Sequence, residues 1–136
     1  MTQAAREPEV GSELTPVIKV ASNTARGQGI HDDTRAQRLG FKGALVPGVT
    51  SLAYVIEMLM NVFGENWMTS GEINLAFTNP LYEGDRVTAR AIVRDKRVED
   101  RGLRLFLGVW AENDEGMKVA AGTASGLLPP TSARRH

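Results

Sequence analysis

Three consecutive residues, His31, Asp32 and Asp33, put a proton-transfer group beside two carboxylates in the first third of the chain. Downstream, Phe41 and then Val46-Pro47-Gly48-Val49 lead into the most apolar stretch of the sequence. Histidine is the side chain whose ordinary pKa lets it give or take a proton near neutral pH. A glycine in the first turn of a helix presents backbone N–H groups that suit a carbonyl oxygen or an oxyanion. The two elements point to acid–base chemistry on a carbonyl compound, with His31 as base and Gly48 and Val49 as donors.

Composition narrows what those residues can belong to. At 136 residues the chain is one domain by size, long enough to bury about two-thirds of its unfolded surface. Sixteen basic and sixteen acidic residues cancel, and the basic ones are scattered apart from Arg134-Arg135, so nothing resembles a phosphate-backbone footprint. No nucleic-acid partner is expected. The absence of cysteine excludes disulfides, thiolate metal sites and cysteine nucleophiles. Two histidines, His31 and His136, are too few and too far apart to suggest zinc, and no metal or other cofactor is expected. The N-terminus lacks the apolar run of a signal peptide, and the apolar run after Gly48 is too short and interrupted to cross a bilayer. The expectation is a soluble cytoplasmic protein without a membrane partner.

The elements that would position the site follow from periodicity. Residues 1–12 and 129–136 are polar and small and read as tails around a domain at 13–128. A first strand is expected over 14–21 and a glycine-broken loop over 22–29. Asp32 or Asp33 suits the N-cap of a short helix over 34–39 that Gly40 stops. The central helix is expected over 48–63, ended by Gly64, with apolar residues all around it and Glu57 as its one formal charge. Period-two apolar residues then mark strands over 70–77, 87–95 and 103–111, with a small-residue strand over 117–127. That order predicts four strands in an antiparallel meander behind a buried helix. Five strands on one helix leave a sheet edge and a helix flank uncovered, which predicts a homodimer or higher homo-oligomer.

This order, with His-x-Asp ahead of a Phe–Gly–Val-x-Gly connector, resembles the hot-dog fold, and within it the MaoC-like (R)-specific enoyl-thioester hydratases and dehydratases. The resemblance runs over 14–128 and is strongest in 30–54 and in the segment from Phe77 to Asp85, similar to the family's strand, proline, tyrosine and Gly-Asp turn. It implies an α+β protein, an antiparallel five-stranded sheet wrapped around one long helix, that holds a small acyl group as a CoA or carrier-protein thioester in a tunnel between subunits. His31 matches the family's catalytic histidine and Asp33 the acidic residue two places later. The family's aspartate five residues before the histidine is Arg26 here, and Gln28-Gly29 stand where Asn-Pro is usual. The related fatty-acid-synthesis dehydratases share Pro-Gly-Val but carry an acid five residues after the glycine, where this chain has Ala53.

The Asp/His dyad is therefore incomplete in the sequence, and the functional reading branches. As a hydratase or dehydratase, the chain would use His31 as general base, Gly48 as oxyanion donor and Asp32 or Asp33 as stand-in acid, with Val49, Arg26 and Tyr54 lining the substrate. As a hot-dog thioesterase it would need Glu57 or an aspartate to activate water. As a pocket-retaining protein of specialised metabolism it would use Arg26 as a cation facing a carboxylate or phosphate.

Overall fold

Helix α2, Gly48–Phe63, is set by its ends and by one buried stripe. Pro47, with φ −57°, supplies the N-cap position without a side-chain cap, and Gly64, at φ 60°, closes the helix by donating its N–H to the Met60 carbonyl at 2.8 Å. Ser51, Val55, Met58, Leu59 and Phe63 are buried, a spacing of three and four that keeps them on one face. The opposite face is open: Val49 is 63% and Met60 41% exposed. The helix is thus buried along one face, while apolar residues on the other stay uncovered in the single chain.

The computed structural model describes residues 7–23 and 31–130. Around α2 lie strands β1 (Val17–Val20), β2 (Glu72–Phe77), β3 (Arg86–Glu99), β4 (Gly102–Asn113) and β5 (Lys118–Leu128). They form one antiparallel sheet in the order β1-β3-β4-β5-β2. Alternate residues Val87, Ala89, Ala91 and Val93 of β3 and Leu103, Leu105, Leu107 and Val109 of β4 are buried, as a period-two strand with one covered face requires. Two short helices complete the fold: α1 (Asp33–Arg38) and α3 (Asn66–Ser70). Sequence periodicity gives no sign of α3, which is only five residues long and has no side-chain cap. Tertiary packing makes it, because Trp67 stacks on Phe63 with ring centroids 6.0 Å apart.

The strand order corrects the expected four-strand meander. Only β3, β4 and β5 follow one another in space. β2 pairs with β5 (Ile73↔Ala124, Leu75↔Gly122), and the free side of β3 is taken by β1 (Val17↔Ala89). Alternation identifies a strand and its buried face, but says nothing about its neighbour. Small residues on β5 admit β2 and α2: a Cβ on Gly122 would collide with the Asn74 carbonyl oxygen, and one on Gly126 would lie 2.9 Å from the Phe63 ring.

Residues 7–12, polar and small in composition, run beside β3. Gly11 donates to the Val93 carbonyl at 2.7 Å, Leu14 donates to Ala91 at 2.9 Å, and Glu7 pairs with Lys96 at 2.6 Å. Pairing of β3 with β4 shifts register between Val93 and Asp95, a bulge that leaves Arg94 as the extra residue.

Candidate functional site

Backbone bonds hold His31 in place before its ring does any chemistry. Asp32 is the N-cap of α1 (φ −108°, ψ 135°), and its Oδ2 accepts the Arg35 N–H at 3.2 Å. Asp33 Oδ1 accepts the Ala44 N–H at 2.8 Å, tying the first turn of α1 to the connector that leads into α2. That connector is fixed in turn by a bridge between Leu45 and Tyr82 and by the Val46 N–H bonded to the Leu81 carbonyl at 2.7 Å. Asn23 Nδ2 donates to the His31 carbonyl at 3.2 Å.

The ring is oriented by the same connector. His31 Nδ1 lies 2.7 Å from the Leu45 carbonyl oxygen. A carbonyl only accepts, so Nδ1 carries the proton and donates it, which leaves Nε2 as the nitrogen free to exchange one. His31 lines a cavity of about 330 Å³ at the N-terminal end of α2, together with Phe41, Gly48, Ser51, Phe77 and Asn79.

Besides the imidazole, the cavity combines three kinds of polar group with apolar walls. The N–H groups of Gly48 and Val49 belong to the first turn of α2, where a helix supplies no acceptor and its dipole is positive. Gly48 keeps this end bare: a Cβ there would sit 3.0 to 3.1 Å from the Phe77 ring. Ser51 is 3% exposed, and its hydroxyl has no hydrogen-bond partner among the described residues. Asn79 Nδ2 donates to the Lys118 carbonyl at 2.6 Å, which fixes the amide and leaves its own carbonyl oxygen as an acceptor. A base, backbone donors and a hydroxyl around an apolar hollow suit proton transfer at a bound carbonyl compound.

The structure brings His31 and Gly48 together in the cavity lining; Val49, with its side chain exposed, is not among the lining residues. Asp32 and Asp33 stand beside His31 in sequence, yet both bond backbone amides and neither lines the cavity. Tyr54 lies further along α2, its hydroxyl donating to the Val20 carbonyl at 3.4 Å. Glu57 pairs with Lys19 at 3.1 Å, in the same direction and away from the cavity. Arg26 lies outside the described residues. Among the described residues that line the cavity there is no carboxylate, and among all described residues no group of three or more His, Cys, Asp or Glu is placed to hold a metal ion.

Ser51 and Asn79 line the cavity although neither is among the site residues expected from the sequence. Ser51 carried a usable signal: it is the polar member of a stripe whose next positions, Val55, Met58 and Leu59, are buried. Asn79 precedes proline and reads as turn chemistry. Its place in the cavity wall depends on the long-range contact with Lys118.

Residues 28–104 match the family model described as MaoC like domain. No curated protein sequence matches the chain. Among solved structures the fold is similar to the unliganded R-hydratase PhaJ1 from Pseudomonas aeruginosa, with TM-score 0.72 at 20% identity, covering 90% of this chain and 83% of that one. It is equally similar to the (R)-hydratase from A. caviae involved in PHA biosynthesis, with TM-score 0.72 at 22% identity, covering 92% of this chain and 100% of that one. A further similar structure is the ChsH1-ChsH2 complex from Mycobacterium tuberculosis, with TM-score 0.68 at 22% identity, covering 88% of this chain and 98% of that one.

Proposed function

The chain belongs to the MaoC-like domain family, and from that premise we propose that it catalyses reversible hydration of an enoyl thioester, with His31 as its general base. The observation that carries this reading is the His31 ring, fixed through Nδ1 to the Leu45 carbonyl and lining the cavity at the bare N-terminus of α2. Nε2 takes a proton from water as the water oxygen bonds to C3. The electron pair of the double bond moves toward the thioester oxygen, which the Gly48 and Val49 N–H groups receive. C2 then regains a proton from the histidinium, so one group serves as both base and acid. Asp32 and Asp33 act as positioning residues, holding α1 and the connector that fix the ring. The acyl chain runs past Phe77, at the end of the edge strand β2, toward a second copy of the chain that completes the tunnel wall.

A second reading is favoured by one observation, the lack of a carboxylate among the described lining residues. In that reading the cavity binds an acyl thioester without hydrating it.

Turnover of a panel of enoyl-, 3-hydroxyacyl- and saturated acyl-CoAs, read by mass spectrometry, separates the two. We expect interconversion of enoyl- and 3-hydroxyacyl-CoA, reduced by about two to four powers of ten in His31→Ala. Thermal stabilisation by an acyl-CoA that is never consumed would establish the binding reading. Release of free CoA would point to a thioesterase and refute both.

A further inference from the structure

The convex face of the sheet, turned away from α2, carries a second hollow that the His31 site does not use. It measures about 470 Å³ and crosses β3, β4, β5 and β2. Three features build it. The bulge at Val93/Asp95 makes Arg94 the extra residue of β3 and turns its side chain across the neighbouring strand. Gly108 of β4 then provides the room: a Cβ at that position would collide with the Arg94 guanidinium. Beyond Gly108, the register brings Thr123 and then Asn74 into line (Gly108↔Thr123, Asn74↔Thr123), with Ser125 one row away opposite Phe106.

The polar groups of this hollow are unspent. Among the described residues, Arg94, Asn74, Thr123 and Ser125 have no side-chain hydrogen bond or ion pair. Ser125 is 7% exposed and still lines the hollow. An unpartnered buried hydroxyl costs free energy, and a guanidinium presents a planar fork that matches an oxyanion in two-point contact. Three other arginines of the same face are satisfied within the chain: Arg90 by Glu13 and Glu112, Arg97 and Arg104 by Glu99. Of these four, Arg94 alone lines a hollow without an ion pair among the described residues.

We propose that this groove is a ligand site in which Arg94 receives the carboxylate of a small amphipathic organic acid. Asn74, Thr123 and Ser125 supply further donors, and Phe106 gives the apolar part of the ligand a surface. Glu72 stands on the rim without an ion pair to Arg94. One arginine and one rim carboxylate suit a monoanion, whereas a phosphate dianion would meet Glu72 with a second negative charge. The inference is independent of the chemistry at His31, because the two hollows share no lining residue.

Amide spectra of the full chain during titration with benzoate test it, with inorganic phosphate as a parallel arm. Saturable shifts of the Gly108, Thr123 and Asn74 amides are expected, weakened at least tenfold in Arg94→Gln and several-fold in Ser125→Ala, with both variants keeping the dispersion of a folded protein. Shifts confined to Gly48 and Thr78 would place benzoate in the His31 cavity and overturn the proposal. So would shifts that survive in Arg94→Gln, or saturation by phosphate but not by benzoate. If benzoate moves nothing and Arg94→Gln lowers the sedimentation coefficient, the groove is filled by a second copy of the chain, which also overturns it.

Discussion

Ser51 and His31 illustrate how differently two polar side chains can be held in one cavity. The His31 ring spends one nitrogen on the Leu45 carbonyl and so gains orientation. The Ser51 hydroxyl spends nothing among the described residues, although it is almost fully buried. Removing a buried hydroxyl that lacks a partner releases its desolvation cost. Ser51→Ala is therefore expected to keep or slightly raise the thermal midpoint while weakening acyl-CoA binding or turnover. A loss of stability of more than about 1 kcal/mol in denaturant unfolding would show that the hydroxyl is structural. A helix cap at Asp32 or Asp33 was legible because capping is local. The side chain of Asp33 was not, since its bond to Ala44 depends on how the connector folds back.

At the scale of elements, two β-structures make contrasting demands. The β3–β4 hairpin is pinned on its outer face by Glu99, whose Oε2 accepts from Arg104 at 2.9 Å and from Arg97 at 2.7 Å. The Arg104 hydrogen bond, followed by that of Arg97, holds the Glu99 carboxyl below its usual range. A carboxyl whose pKa is lower folded than unfolded stabilises the protein above the unfolded pKa, and that contribution disappears as pH falls through the folded value. The wild type should therefore lose more thermal stability than Glu99→Gln on acidification through and below the ordinary carboxylate range. The difference should be small, because the pair is partly solvated. Equal slopes in parallel melting curves would remove Glu99 from the account. The β2–β5 pair depends instead on the absence of a side chain. Gly122→Ala should destabilise by roughly 1–3 kcal/mol, with β2 amides losing hydrogen-exchange protection first, because the new methyl meets the Asn74 carbonyl.

For the whole molecule, the open features lie at the sheet edges and on one helix face. β1 and β2 are the edge strands, Phe77 on β2 is 54% exposed, and Val49 and Met60 expose an apolar stripe of α2. No helix among the described residues is long and apolar enough to cross a membrane. Unpaired edges and apolar stripes are commonly covered by symmetric association. Sedimentation velocity at micromolar concentration is expected to give a dimer or larger assembly. A monomer would mean that each cavity works with the walls of a single chain.

The sequence by itself determined the helix at 48–63, the short helix capped at Asp32 or Asp33, the alternating strands and the family resemblance carried by His31, Pro47-Gly48-Val49 and the segment from Phe77 to Asp85. Each of these rests on residues within a few positions of one another, where period, capping and turn chemistry act. Only the tertiary structure decided that β2 lies beside β5, that Ser51 and Asn79 share a cavity with His31, and that a bulge and a glycine on the next strand turn Arg94 over the convex face. Strand neighbours are chosen by long-range packing, and a period of two is satisfied equally by either edge of the sheet.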